Sequence, residues 1–506
     1  MDGEAQSVLR SAVRAATPMC AVVIAALVMM WPAFYNRYPL LYPDSISYLG
    51  DGSLVARALI HHEFSDYYGF RSLIYSVGIL PLHWNITPWP IAGFNALLTS
   101  YILWLSVRSL LPGRPLINFL GLVIPLNILT GLGWLVSWIM PDILGPVLYL
   151  SIYLLVFAKD ALSRTERMAV ILIAWWGMVS HVTHLLLASS LCIVLLGVLV
   201  AQDHSFRKPL RAVGLVAAIV LAAATAQVAM NEYLYGEPSL NGNRPPFLLA
   251  RVIADGPGRW YLQQHCGELH LAICDHLHDL PDNADDFLWG DNGWVNSSAE
   301  WQRQLRQEEM AVVWGAVRAY PRKMLSLCAH HFWEQLLTYG LWSYDPNRWM
   351  SENVDTVLPG NGARYQRSRQ AHETLHEDLF SSLQDWTLIV SLIVIGVWIF
   401  FSRRRWSRRL IGLTASITFV VIANAAIAGN LSHVEDRYQA RVIWLVPLLA
   451  GVFILTVFDS LRDRRHSKSR LSERKHSGSD ALALPLCFHS GNLAGVRAGS
   501  SPLPGP

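Results

Sequence analysis

The chain has 506 residues, of which 53% are hydrophobic and 15% are charged, with a formal net charge of +3 and a mean hydropathy of +0.30. This balance excludes an ordinary soluble globular protein. A hydrocarbon core of about 30 Å requires an apolar helix of about 17 to 25 residues, and several such runs occur along the chain. The sequence therefore predicts an integral membrane protein. Membrane lipids are expected to contact it, and no nucleic-acid partner is expected.

Ten membrane spans are predicted, which gives an all-α polytopic fold. In chain order they cover residues 18–35, 91–110, 116–137, 143–158, 168–179, 183–201, 211–231, 386–402, 410–429 and 441–458. The stretch 71–84 is an eleventh candidate. Because Pro81, His83 and nearby Pro88 interrupt it, we interpret it as re-entrant or as lying in the interface, and whether it spans stays open.

Basic residues mark one side of these spans. They are Arg10, Arg14, Arg108, Arg114, Lys159, Arg164, Arg167, Arg207, Lys208, Arg211, Arg403, Arg404, Arg405, Arg408 and Arg409. The short loops 138–142 and 179–182 on the other side carry no Lys or Arg, and 430–440 carries only Arg437. The positive-inside rule assigns the basic side to the cytoplasm, so both termini are predicted to be cytoplasmic.

The spans divide the chain into five parts. They are a cytoplasmic N-terminus (1–17), an N-terminal transmembrane module (18–231) that includes a first outer loop (36–90), a mainly helical extracytoplasmic domain (232–385), C-terminal transmembrane helices (386–458) and a disordered basic cytoplasmic tail (459–506). Cys266 and Cys274 lie eight positions apart in the extracytoplasmic domain. An oxidising compartment would permit a disulfide there, but spacing alone leaves the pairing open.

Three polar sites reach the predicted outer side by topology. Asp44 follows the first span, Asp142 follows Met140-Pro141, and Arg437 and Arg441 precede the last span. A partly desolvated carboxylate can act as a general base, and a guanidinium group matches a phosphate. Structural alternatives stay open, because either Asp can cap a helix and either Arg can snorkel at a helix end.

Two histidines lie at the outer end of a predicted span. His181 and His184 are three apart and are expected to share one helical face. They suit the polar lining of a cavity, contact with a phosphate, or metal ligation together with Asp44 or Asp142. Two histidines without a fixed third ligand are a weak metal signal.

The layout of these sites resembles the C-type glycosyltransferases, polytopic enzymes that use polyprenyl-phosphate sugars. The resemblance rests on the acid after the first span, the segment Trp138 to Asp142, the long extracytoplasmic domain, and the run Arg437-Tyr438, Arg441, Trp444 and Pro447. It covers most of 18–458 in layout. It is closest to the bacterial branch that resembles the protein mannosyltransferases and the lipid A aminoarabinose transferase.

The resemblance implies a C-type bundle and a role for each matching residue. Asp44 would be catalytic, and the substrate would be bound by Asp142, Arg71, His181, His184, Arg437, Tyr438 and Arg441. Arg71 resembles the family's Gly-Arg-Pro step, although Phe70 and Ser72 replace the usual neighbours. Some branches need a divalent cation and others do not, so the resemblance leaves that cofactor open and assigns no metal ligand.

The predicted function is a transferase of the bacterial inner membrane. It would move a sugar from a polyprenyl-phosphate donor to a hydroxyl of a glycan, lipid or protein on the periplasmic face, with inversion. A polymerase or ligase of polyprenyl-diphosphate-linked glycans is one alternative. A secondary transporter is another, although its ionisable groups would be expected near mid-membrane.

Overall fold

A computed structural model describes residues 17–65, 68–203, 206–344, 346, 348–401 and 406–479. Arg10, Arg14, Arg403, Arg404 and Arg405, which contributed to the predicted orientation, lie outside the described residues, as does the end of the predicted tail, 480–506. The described part of the chain is almost entirely helical.

The described residues of the first half of the chain form ten helices. They are α1 (Thr17–Asn36), α2 (Pro43–His61), α3 (Leu73–His83), α4 (Trp89–Leu110), α5 (Pro115–Leu129), α6 (Leu132–Ser137), α7 (Leu144–Phe157), α8 (Arg164–Ser180), α9 (Val182–Asp203) and α10 (Arg207–Tyr235). A short 3₁₀ turn, Pro141–Ile143, precedes α7.

The second half continues the pattern. It contains α11 (Phe247–Ala254), α12 (Pro257–Leu269), α13 (Ala284–Trp289), α14 (Ala299–Ala319), α15 (Pro321–Leu337), α16 (Arg348–Val357), α17 (Gly362–Tyr365), α18 (Glu377–Phe401), α19 (Arg408–Leu431), α20 (Asp436–Ile443) and α21 (Leu445–Ser479). We call residues 232–385, which run from the last turn of α10 into the first turns of α18, the cap segment.

Seven helices among the described residues are long and apolar enough to cross a membrane. They are α1, α4, α9, α10, α18, α19 and the continuous stretch Asp436–Arg462 formed by α20 and the start of α21. Shorter apolar helices occupy Leu73–His83, Pro115–Leu129 and Pro141–Phe157. A helical membrane protein is thereby supported, whereas the count of ten spans stays a prediction.

Two predicted boundaries differ from the structure, and the stretch that was interpreted as re-entrant or interfacial forms a short helix. The span 116–137 is broken at Thr130 and Gly131 into α5 and α6. The stretch 71–84 is an 11-residue helix, α3, which is too short to cross a core of about 30 Å. The disorder predicted from residue 459 does not begin there, because α21 continues to Ser479. The stretch contains several Arg, Lys, Glu and Leu residues, which are good helix formers, among Ser and His.

Ion pairs join several helix ends that the sequence places on the basic side. Arg409 contacts Asp160 at 2.6 Å, and Arg408 contacts Asp203 at 2.8 Å. These pairs bring the start of α19 to the ends of α7 and α9. Three of the loops that were predicted to lie on the basic side therefore meet at one end of the bundle.

At the opposite end, a backbone bridge joins two segments that carry predicted site residues. Leu40 N donates to Ser137 O at 3.0 Å, and Ile139 N donates to Leu40 O at 2.9 Å, which forms a parallel bridge between Leu40 and Trp138. The segment that leads to Asp44 thus lies beside the segment that leads to Asp142.

The cap segment has a hydrophobic core of its own, built on α11 to α14. Its buried members include Leu249, Ile253, Leu262, Phe287 and Leu305. The pairing that the sequence left open is settled here, because Cys266 and Cys274 form a disulfide. The cap segment is also joined to the bundle, since buried Gln370 donates to Leu41 O at 2.8 Å and accepts from Leu41 N at 3.0 Å.

Candidate functional site: a buried arginine and carboxylate cluster beside a cavity

Asp44 lies between two arginines from distant parts of the chain. Arg71 Nη2 donates to Asp44 Oδ1 at 2.5 Å, and Arg437 Nη1 donates to Asp44 Oδ2 at 3.2 Å. The carboxylate is buried, with 8% of the residue exposed. The acid after the first predicted span and the arginine before the last therefore contact each other across 393 positions of sequence.

The start of α2 explains why the Asp44 carboxylate is free to form these pairs. Tyr42 has an extended backbone, and Pro43 occupies the first helical position, where its missing N–H and fixed φ do no harm. Tyr42 N donates to Ser45 Oγ at 3.0 Å, so Ser45 performs the local capping. The alternative interpretation of Asp44 as the capping residue is therefore not needed, and its charge lies favourably in the first turn.

Aromatic rings flank the Arg437 guanidinium. Its central carbon lies 4.4 Å from the centroid of the Tyr42 ring and 4.8 Å from that of Tyr438, within the range of cation–π attraction. Arg437 Nη2 also lies 3.1 Å from the Tyr438 hydroxyl, to which it donates a hydrogen bond. These contacts hold a long, otherwise flexible side chain in one position.

A second arginine and carboxylate pair lies next to the first. Arg441 Nη1 is 3.6 Å from Asp142 Oδ1, and Arg441 is only 2% exposed. Asn424 of α19 accepts hydrogen bonds from Arg441 Nε at 3.0 Å and from Nη2 at 2.8 Å. A buried guanidinium group needs such partners, because desolvation of an unpaired charge is strongly unfavourable.

The cap segment fixes the start of α20, which carries both arginines. Gln335 of α15 donates to Glu435 O at 2.8 Å and accepts from Glu435 N at 3.1 Å. Gly340 N donates to the Asp436 carboxylate at 2.6 Å. The orientation of Arg437 therefore depends on contacts between the cap segment and the last helices.

An ionic pair lies beside this junction. His433 Nε2 is 2.7 Å from Glu435 Oε2. Burial is the largest single effect and disfavours charge on both groups, but the hydrogen bond between them and the neighbouring charges together outweigh it, so that the pKa of His433 is raised and the pKa of Glu435 is lowered. The Glu435 charge is thereby matched locally by His433.

His181 and His184, which were predicted to share a helical face, have ring centroids 5.4 Å apart but do not lie on one helix. His181 lies in the break between α8 and α9 with an extended backbone, and its Nδ1 accepts from Thr183 N at 3.2 Å, which caps α9. His184 is fully buried, and its Nδ1 lies 3.0 Å from Gly177 O. The prediction of one shared face is wrong, because the chain uses His181 to end one helix and start the next.

A cavity of about 350 Å³ adjoins the arginine cluster. Its wall includes Arg71, His181, Gln227, Asn231, Arg244, Arg437, Tyr438 and Arg441, with apolar side chains such as Phe70, Leu186, Phe247 and Leu431. His184, Asp44 and Asp142 are not part of the described wall. Arg71, Arg437 and Arg441 face the cavity with their partner carboxylates behind them. Arg244, the fourth arginine of the wall, pairs with Glu309 at 2.7 Å.

Asn424 and Gln227 are among the residues of this site that were not predicted from the sequence. Asn424 holds Arg441, and Gln227 of α10 donates to Val179 O at 2.6 Å, which satisfies a carbonyl at the end of α8. Both are single carboxamides within long apolar runs. A polar residue inside an apolar span is a signal of a buried polar contact and could have identified both.

Among the described residues, no group of three or more His, Cys, Asp or Glu side chains is placed to hold a metal ion. The most acidic part of the site consists of Asp44 and Asp142, and each carboxylate contacts a guanidinium group. The site thus has the character of an anion-binding cluster with internal counter-ions.

Comparison of the chain with protein-family models, with curated proteins and with solved structures gave no match. The geometry of the cluster and its cavity therefore carries the functional argument.

Proposed function

We propose that this protein is a membrane glycosyltransferase that transfers a sugar from a polyprenyl-phosphate donor to a hydroxyl group of a glycan, lipid or protein. The observation that carries the proposal is the cluster of Arg71, Arg437 and Arg441 on one cavity wall, with Asp44 directly behind it. A carboxylate base and a guanidinium clamp are the two parts that such a transfer requires.

Charge favours a donor with a single phosphate. Three guanidinium groups face two carboxylates in the cluster, which leaves one positive charge. A phosphodiester carries one negative charge and would neutralise it. A diphosphate-linked donor would leave the buried site with a net negative charge, so the polymerase or ligase alternative fits the site less well.

The guanidinium groups also retain unused donors. Arg71 Nε and Arg437 Nε are buried and have no hydrogen-bond partner among the described residues. Most buried polar atoms in proteins are hydrogen-bonded, so exceptions at a cavity wall call for a functional reason. Phosphate oxygens that approach these arginines would provide acceptors and would compete with Asp44 for them.

This competition suggests how the transfer would proceed. Donor phosphate draws Arg71 and Arg437 away from Asp44, and the freed carboxylate takes the proton of the acceptor hydroxyl. The hydroxyl oxygen attacks the anomeric carbon as the bond from that carbon to the phosphate oxygen breaks. Polyprenyl phosphate leaves with the bonding electrons, stabilised by the arginines, and the anomeric centre is inverted.

The alternating basic loops and the resemblance to C-type glycosyltransferases favour the periplasmic face of a bacterial inner membrane as the place of this reaction. The site lies at the end of the bundle opposite the pairs Arg409–Asp160 and Arg408–Asp203. If those pairs lie in the cytoplasm, the cavity faces the other side.

Lipid extracts from cells that carry Asp44→Asn test the proposal. We expect an unconsumed polyprenyl-phosphate sugar to accumulate, detected by mass spectrometry, because loss of a general base typically lowers a rate about 10²- to 10⁴-fold. Arg437→Gln should have the same effect. Asp160→Asn and Arg409→Gln are matched controls that break an ion pair at the other end of the bundle.

Membrane insertion of each variant is checked by membrane fractionation and immunoblotting. An unchanged lipid and glycan profile in a correctly inserted Asp44→Asn strain would reject the catalytic assignment. Equal accumulation in the Asp160→Asn strain would show that ion-pair loss alone, and not the site, explains the result.

A further inference from the structure

The short segment that carries Arg71 is held at several points. Gly69 N donates to Asp51 Oδ1 at 3.3 Å, and Tyr235 OH donates to Gly69 O at 2.7 Å. Just after Arg71, Ser72 Oγ donates to Val179 O at 2.6 Å. These bonds fix the backbone on both sides of Arg71, but they do not hold its side chain.

Phe70, the residue before Arg71, contacts the cap segment. Its ring is stacked on Trp289 at a centroid distance of 5.5 Å and an interplanar angle of 29°, and it meets Trp294 edge-on at 6.5 Å. Trp294 is buried in the cap core, and Trp289 packs against that core. Phe70 is thus the point where the Arg71 segment is packed onto the folded cap.

The same ring contacts the Arg71 guanidinium. The central carbon of Arg71 lies 4.7 Å from the Phe70 centroid, while Nη2 pairs with Asp44 at 2.5 Å. A continuous set of contacts therefore runs from Trp289 through Phe70 and Arg71 to Asp44. Arg437 contacts the far oxygen of the same carboxylate.

We propose that Phe70 and Trp289 are positioning residues for the anion site, through which the cap segment sets the orientation of Arg71. An arginine side chain has many rotamers and loses conformational entropy on being ordered. The Phe70 ring is held in place by its stacking on Trp289. Contact with this fixed ring lowers the number of orientations that the Arg71 side chain samples before the anion binds. The consequence for phosphate binding rests on the function proposed above, whereas the ordering of Arg71 does not.

Binding of farnesyl phosphate to the purified protein in detergent, measured by calorimetry, tests the consequence. Trp289→Leu and Phe70→Leu should each weaken binding about threefold to tenfold, the range of a lost cation–π contact. The matched control is Trp301→Leu, because Trp301 packs on the same core but contacts His276 and not Phe70. That variant should change the affinity less than about twofold.

A double variant separates positioning from a general loss of stability. In an Arg71→Gln background, Trp289→Leu should have no further effect on the affinity, because it acts through Arg71. If Trp289→Leu weakens binding equally with and without Arg71, or if Trp301→Leu weakens it as much as Trp289→Leu does, the positioning role is rejected. Should Trp289→Leu fail to fold, Phe70→Leu decides alone.

The reaction of Arg71 with phenylglyoxal, followed by mass spectrometry of its peptide, needs no substrate. We expect Arg71 to react faster in Trp289→Leu than in the wild type and in Trp301→Leu. If Arg71 is modified faster in Trp289→Leu but the wild type does not bind farnesyl phosphate, the proposed function is overturned and the positioning role is retained. Equal modification rates in all three proteins would overturn the positioning role.

Discussion

At the residue scale, the site depends on charges that are buried together. Asp44, Asp142, Arg437 and Arg441 all have less than a tenth of their surface exposed. Such groups would be strongly destabilising one at a time, and they are tolerated because each carboxylate lies against a guanidinium group. Removal of one partner is therefore expected to affect both stability and binding.

Asp51 is a buried carboxyl group. The unfavourable effect of burial on its ionised form is larger than the favourable effect of the neighbouring polar groups. Burial raises its pKa from 3.8 to about 6, although the Gly69 N–H and Arg71 lower it in part. Because the native state then binds the proton more tightly than the unfolded state, this group contributes stability below about pH 4. That contribution is lost as the pH rises to about 6.

We therefore predict that Asp51→Asn is more stable than the wild type above about pH 6, by roughly 2 to 3 kcal/mol. The neutral amide retains an oxygen that can accept from Gly69 N. Thermal unfolding in detergent from about pH 4 to pH 8 measures the effect, and the difference between the two proteins should shrink toward pH 4. A constant difference across this range would contradict the prediction.

Asn424 gives a second prediction at this scale. Asn424→Leu removes the oxygen that accepts two hydrogen bonds from Arg441, so we expect a loss of about 1 to 3 kcal/mol in stability and weaker farnesyl phosphate binding. Ser416→Ala in the same helix is the control, because its buried hydroxyl donates to Gly412 O within that helix. Equal effects of the two substitutions would argue against a role for Asn424 in holding Arg441.

At the element scale, the close packing of α15 on α19 determines where α20 begins. A Cβ on Gly429 would lie 2.6 Å from the backbone oxygen of His331 and 3.0 Å from the Cβ of Gln335. Gln335 in turn holds Glu435, which precedes Arg437. The small residue at 429 therefore permits the contact that orients Arg437.

This packing gives opposite expectations for two glycine substitutions. A Cβ added to Gly396 of α18 would meet no atom of another described element within 4 Å, so Gly396→Ala should be neutral or stabilising by up to about 1 kcal/mol, as expected in a helix interior. Gly429→Ala should instead lower the unfolding temperature, because the backbone of α15 must move. Thermal unfolding of both variants is the measurement, and a stabilised Gly429→Ala protein would exclude close packing at this point.

At the scale of the whole molecule, the bundle has two chemically different ends. One end joins arginines and acids of the predicted basic loops, and the other contains the cluster and its cavity. The predicted orientation places the end with the basic loops in the cytoplasm and the end with the cavity on the other side of the membrane.

Cysteine labelling in intact cells tests this orientation. His278 of the cap segment and Thr165 at the start of α8 are both exposed. We predict that His278→Cys reacts with a membrane-impermeant maleimide in intact cells, and that Thr165→Cys reacts only after permeabilisation, because basic loops stay in the cytoplasm. The reverse pattern would place the cavity in the cytoplasm and refute the proposed reaction compartment.

Hydropathy and charge in the sequence determined the membrane class and most helix positions. They also indicated Asp44, Arg437 and Arg441 as candidate site residues. Those features are local, since span length and the type of side chain at a span end are properties of short stretches. Even the grouping of the basic loops at one end follows from the alternation of spans along the chain.

Only the tertiary structure decided which side chains meet. The bridge between Leu40 and Trp138, the burial of His184 away from the cavity, the hold of Asn424 on Arg441 and the stacking of Phe70 on Trp289 all depend on packing between distant segments. No local pattern specifies such contacts, because the free energy of burying a charge is set by the partner that the fold supplies and not by its neighbours in sequence.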